Sequence, residues 1–208
     1  MDSDEYKTVS GENRLETKVH GSRFIATVAS SSTKSEAEEF VISVRERFHD
    51  ATHNCYAYRC GTDSNQFRVN DDGEPTGTAG KPILAAIDNH CLTDLVVVVT
   101  RYFGGTKLGV GGLIRAYGDA ADKVLGSAST VTRYLIHRVC IAFPHTQISN
   151  VMHVASKCKA NIVDTQYDEE VHLTLEIRQS RSEELQAMLM NHTSGKIRFE
   201  LENQRTEP

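Results

Sequence analysis

Leu95-Val96-Val97-Val98-Val99-Thr100-Arg101-Tyr102-Phe103-Gly104-Gly105-Thr106-Lys107-Leu108-Gly109-Val110-Gly111-Gly112-Leu113-Ile114-Arg115 holds two structural signals with a loop between them. The uninterrupted β-branched run from Leu95 to Val99 predicts a strand buried on both faces. Gly109 to Val124 predicts a glycine-rich helix. The stretch carries Arg101, Lys107 and Arg115, and no acidic residue occurs from Val96 to Gly118. Nine of the fourteen glycines lie between Gly73 and Gly118, a density that calls for special backbone geometry or close approach of a ligand. A basic, glycine-rich loop entering a helix is a candidate anion site, because free N–H groups and the helix dipole both favour negative charge.

Upstream, Asp71-Asp72-Gly73-Glu74-Pro75-Thr76-Gly77-Thr78-Ala79-Gly80-Lys81-Pro82 leads into a predicted helix over Thr78 to Asn89, with Pro82 near its start. Ser22 to Ala29, Cys55 to Arg59 and Phe67 to Val69 read as strands. Thr33 to Phe48 reads as a helix opened by a Thr33-x-x-Glu36 capping box. Met1 to Leu15 is polar and is expected to be loosely ordered. Gly126 to Thr130, small and polar, is expected to link two domains, 1–130 and 131–208. The second half reads strand (Val139, Ile141, Phe143), helix (Ile148, Val151, Met152, Ala155), two strands turning at Asp168-Glu169, helix (Leu185, Met188, Leu189) and strand (Ile197, Phe199, Leu201). That β-α-β-β-α-β order is the split, ferredoxin-like unit. The fold class is therefore α+β.

The formal net charge of −5 argues against a chain that coats nucleic acid by bulk charge, but leaves room for a local basic face. The five cysteines form no C-x-x-C pair, which favours a reducing compartment over a disulfide framework. The acidic N-terminus lacks the apolar core of a signal peptide, and no apolar run could span a membrane. A cytoplasmic protein is expected.

The candidate phosphate or nucleic-acid contacts are Arg101, Gly104, Gly105, Lys107, Gly109, Gly111, Gly112 and Arg115. The opposing reading is a tight strand-to-helix connection. Thr78, Gly80 and Lys81 at a helix start could present N–H groups to an anion, or form an ordinary cap. Tyr56 and Arg59 could stack on bases. Asp71, Asp72 and Glu74 could hold Mg²⁺, although a solvated turn is favoured. His53, Cys55 and Cys60 lack the second ligand pair of a zinc site. No catalytic residue, metal or cofactor is assigned.

His53-Asn54-Cys55-Tyr56-Ala57-Tyr58-Arg59, Asp71 through Gly80, and Val97 through Gly105 and on to Gly111-Gly112-Leu113 closely resemble the IMPACT/YigZ family, from about Lys18 to Leu125. The resemblance implies an N-terminal domain of the ribosomal-protein-S5-second-domain type. It also implies a bacterial-type ferredoxin-like domain similar to one in elongation factor G, and an association with translation and its regulation. The leading expectation is a translation-associated factor that binds RNA or a ribosome-associated complex through the glycine-rich basic face. The alternatives are an enzyme acting on a phosphorylated small molecule or nucleotide, and a protein-interaction regulator whose glycine loop is architectural.

Overall fold

A computed structural model describes residues 4–61 and 66–200. In chain order the first elements are β1 (Glu5–Val9), β2 (Asn13–Val19), β3 (Ser22–Ser30), α1 (Lys34–Arg47), β4 (His53–Arg59), β5 (Phe67–Asn70), α2 (Gly80–Asn89), β6 (Leu95–Tyr102), α3 (Gly109–Ser127) and β7 (Thr130–Tyr134). They are followed by β8 (Ile136–Phe143), α4 (Ile148–Cys158), β9 (Asn161–Tyr167), β10 (Val171–Arg178), α5 (Ser182–His192) and β11 (Arg198–Glu200). The chain forms two compact units, one of Tyr6–Arg133 and one from Tyr134 onward together with the residues before Tyr6. The expected link is displaced. Gly126 and Ser127 belong to α3, and Thr130–Tyr134 is a strand paired with β1.

The first unit is an antiparallel sheet in the order β2-β3-β6-β4-β5. The apolar run of β6 occupies its centre because it must satisfy both faces. Val97 and Val99, with Phe24, Ala26, Val28, Cys55 and Ala57, meet residues of α2 and α3 such as Ile83, Ile87, Leu113 and Val124. Val96 and Val98, with Tyr56 and Tyr58, meet Ala37, Val41 and Val44 of α1. Thr33 caps α1 by accepting the Glu36 N–H at 3.2 Å. The Glu36 carboxylate accepts the Ser32 N–H at 2.8 Å, one residue further back than a capping box requires.

Residues before Leu15 are ordered in part, contrary to expectation. In β1, Thr8 and Val9 are buried; the Lys7 carbonyl accepts the Thr93 N–H at 3.0 Å, and the Thr8 hydroxyl donates to the Asp94 carbonyl at 2.8 Å. These partners lie more than eighty positions away in the chain, so local composition carries no trace of them.

The second unit has the predicted β-α-β-β-α-β order and an antiparallel sheet ordered β11-β8-β10-β9. The alternation along β10 places Val171, Leu173, Leu175 and Ile177 in a core with Val151, Val154, Leu185 and Leu189 of α4 and α5. Helix α5 opens without a side-chain cap, and the preceding Ser180 bonds through its backbone N–H and hydroxyl to the Asp4 carboxylate. The expected last strand is seen as β11; Leu201 lies outside the described residues.

Candidate functional site

Strand β6 keeps its alternation past Val99, so Arg101 turns inward beneath α3 rather than out toward a ligand. Its side chain is 6% exposed and its Nη1 donates to Glu74 Oε1 at 2.6 Å, the Glu74 side chain being 4% exposed. Tyr117 of α3 donates its hydroxyl to the same oxygen at 2.8 Å, and its ring meets Phe24 edge-on at 5.2 Å. Arg101 Nη2 reaches Ser22 Oγ at 3.4 Å. His53 borders the cluster, its Nε2 3.8 Å from Glu74 Oε1 and its Nδ1 2.8 Å from the Asp72 carbonyl. Burial pushes the Tyr117 phenol and the Cys55 thiol well above their ordinary pKa values, so both stay neutral. The Cys55 thiol donates to the Asp71 carbonyl at 3.0 Å, an inert setting for a cysteine. Arg101 is therefore withdrawn from the candidate ligand contacts. The charge assigned to the surface instead balances a buried carboxylate.

The other acidic residues of the turn are committed in the same way. Asp71 Oδ1 accepts the N–H groups of Ala79 and Gly80 at 3.0 and 2.8 Å, and Oδ2 accepts that of Gly77 at 2.8 Å. The first turn of α2 thus already holds an anion, the chain's own carboxylate. Thr78 is buried and donates to the Pro75 carbonyl, while Gly80 lies so close to Asn70 that a Cβ would sit 2.8 Å from the Asn70 nitrogen. Thr78 and Gly80 are accordingly internal, and of that trio Lys81 alone is exposed. Asp72 bonds Arg45 through Oδ1 and the Asn54 N–H through Oδ2, both at 2.6 Å. With Glu74 on Arg101, none of the three carboxylates faces an open metal site.

A pH-dependent result follows. Burial raises the Asp71 pKa, but the backbone N–H bonds, aided by Lys81, outweigh it and hold the carboxyl below its ordinary 3.8. A lowered folded-state value stabilises the fold above the unfolded value and is lost as pH falls through the folded one. Asp71→Asn, which removes the negative charge from the start of α2, is expected to cost about 0.3–1 kcal/mol at neutral pH. The difference from the parent should shrink as both are titrated below roughly pH 4. Chemical denaturation across that range checks it; a difference independent of pH would contradict the assignment.

Tyr56 is buried against α1, stacked with Tyr58 at 6.4 Å between ring centroids, and so cannot serve as a base platform. Arg59 pairs with Asp88 at 2.6 Å. The face left open is narrower than expected. Gly104, Gly105, Lys107, Gly109, Gly111 and Arg115 are exposed and Gly112 is half-buried. Gly105 and Gly109 hold positive φ, whereas Gly104 is required for contact: a Cβ there would lie 1.9 Å from the Gly21 carbonyl carbon. That contact shows what sequence reasoning missed. The β2–β3 turn at His20-Gly21, where both residues have positive φ, supports the β6–α3 loop from below. The glycine following Val19-His20 was the available signal. Leu108, the N-cap of α3, makes no side-chain cap bond and the first turn holds no acidic residue; among the described residues no distant carboxylate fills this helix start as Asp71 fills that of α2. Among the described residues, neither Lys107 nor Arg115 is paired with a carboxylate.

Residues 20–125 of this chain match the family model of the Impact N-terminal domain, and residues 141–196 match that of a domain of unknown function, DUF1949. The chain belongs to the IMPACT/YigZ family. It is 35% identical to the IMPACT family member YvyE of Bacillus subtilis, over 92% of this chain and 88% of that protein. It is 32% identical to the IMPACT family member YigZ of Escherichia coli, over 88% of this chain and 90% of the relative. A solved crystal structure of a hypothetical protein aligns with a TM-score of 0.75 at 29% identity, covering 98% of this chain and 100% of that one. The buried Glu74–Arg101–Tyr117 cluster and the exposed segment from Gly104 to Arg115 both fall inside the Impact N-terminal match.

Proposed function

We propose that this IMPACT/YigZ family member is a translation-associated regulator that binds RNA or a ribonucleoprotein through the face formed by Lys107, Arg115 and the glycine backbone between them. One observation carries the reading: two exposed cations, without carboxylate partners among the described residues, flank a helix start that no acidic side chain fills. Such a face can meet phosphate without first giving up an internal ion pair. The enzyme reading loses its candidate metal ligands, because Asp71, Asp72 and Glu74 are occupied within the chain. The unit order and the antiparallel β11-β8-β10-β9 sheet support a ferredoxin-like assignment for the second unit, and family membership supports an S5-second-domain type for the first. No described helix is long and apolar enough to cross a membrane. All five cysteines are free, which fits the cytoplasmic placement we infer.

The test is salt dependence. Lys107→Gln/Arg115→Gln is expected to weaken binding of a short labelled single-stranded RNA and to flatten the slope of log affinity against log salt by roughly 1.4 units. Both side chains are exposed, so the melting temperature should not move. An unchanged slope in a stably folded double variant would favour the protein-interaction regulator.

A further inference from the structure

The same face carries exposed apolar surface that phosphate contacts do not use. Phe103 is 47% exposed, and Val110 and Ile114 of α3 are 60% and 41% exposed. The backbone at Phe103 is anchored from two sides. Its backbone N–H donates to Thr52 Oγ1 at 3.0 Å, and the next N–H, of Gly104, donates to Ser22 Oγ at 3.2 Å. The Arg101 guanidinium, itself held by Glu74, lies 5.5 Å from the centre of the Phe103 ring. A ring on an anchored backbone, backed by a buried cation and with nearly half its residue surface in water, is a candidate stacking surface.

Resting on the reading above, we propose that the ligand is taken as a single strand, with an unpaired base stacked on Phe103 and the adjoining phosphates on Lys107 and Arg115. A duplex keeps its bases stacked on one another and offers this ring nothing beyond phosphate and sugar. Splayed bases of a single strand offer a planar face to it. The apolar patch thus selects between two nucleic-acid forms that the cations alone would bind alike.

Binding is measured by fluorescence polarisation with three probes: a labelled single-stranded RNA, the same sequence as a duplex, and inorganic polyphosphate as competitor. Phe103→Ala is expected to weaken single-strand binding roughly 5- to 100-fold. Duplex binding and polyphosphate competition should stay unchanged. Phe103→Trp, which retains an aromatic face, should restore the single strand and guards against a folding defect in the alanine variant. If Phe103→Ala binds the single strand as the parent does, or weakens the duplex equally, the stacking inference is overturned. The broader reading then survives only if Lys107→Gln/Arg115→Gln still lowers affinity. If the parent binds none of the RNA probes but captures an acidic peptide through Phe103, both are overturned.

Discussion

Replacing Glu74 by alanine is expected to destabilise the unit of Tyr6–Arg133 by about 3–5 kcal/mol, the cost of leaving a buried charge without its partner. Arg101 is 6% exposed at its side chain, and its Nε, also buried, has no partner of its own. Glu74 is the only carboxylate bonded to that guanidinium among the described residues. Losing it also strands the Tyr117 hydroxyl, which donates to the same oxygen. Glu74→Gln should fall between alanine and the parent, since an amide oxygen can still accept from Tyr117 but cannot balance the charge. Replacing both partners with apolar residues of similar volume, Glu74→Leu/Arg101→Met, should recover much of the loss, because desolvation of both ions is then avoided. Hydrogen exchange of the α3 amides reports on this unit separately from the other. A Glu74→Ala protein with undiminished α3 protection would show that the pair contributes little.

The elements whose burial is written into short stretches could be read directly. Leu95–Val99 has no polar position, so only the centre of a two-faced sheet could accept it. Along β10, every second residue is apolar, and one face is covered as that alternation requires. The alternation of β4 separates Cys55 and Ala57 from Asn54, Tyr56 and Tyr58, but it does not reveal that the tyrosine face lies under α1 rather than in solvent. Asp71 gave no local sign of its role either. Its function as the cap of α2 depends on the turn doubling back so that Gly77, Ala79 and Gly80 converge on one carboxylate.

Arg101 is the more instructive case. Its neighbours in sequence are basic and glycine-rich, which favours a surface role, while its parity with Val97 and Val99 favours burial. The parity prevailed because the strand runs on to Tyr102 and a carboxylate was available to meet the charge. A cation at the end of a fully buried strand, in a chain with an acidic turn elsewhere, is a reason to look for an internal ion pair before a ligand.

Gly104→Ala is expected to cost about 1–3 kcal/mol or more, and to weaken RNA binding along with stability. The added Cβ would lie 1.9 Å from the Gly21 carbonyl carbon, 2.1 Å from its oxygen and 2.3 Å from the Ser22 nitrogen. All three are backbone atoms, so no rotamer change can relieve the overlap; either the β6–α3 loop or the β2–β3 turn must move. Movement would loosen the bond from the Gly104 N–H to Ser22 Oγ and shift the support beneath Phe103. Gly105→Ala is the informative comparison. Its Cβ would meet nothing within 4 Å, and the expected penalty, about 1–2 kcal/mol, comes only from its φ of +88°. The two variants therefore separate steric support from backbone strain at adjacent positions. If Gly104→Ala melts with the parent and binds RNA equally well, the turn at Gly21 is not what holds the loop. The face built on it would then have to be rigid for some other reason.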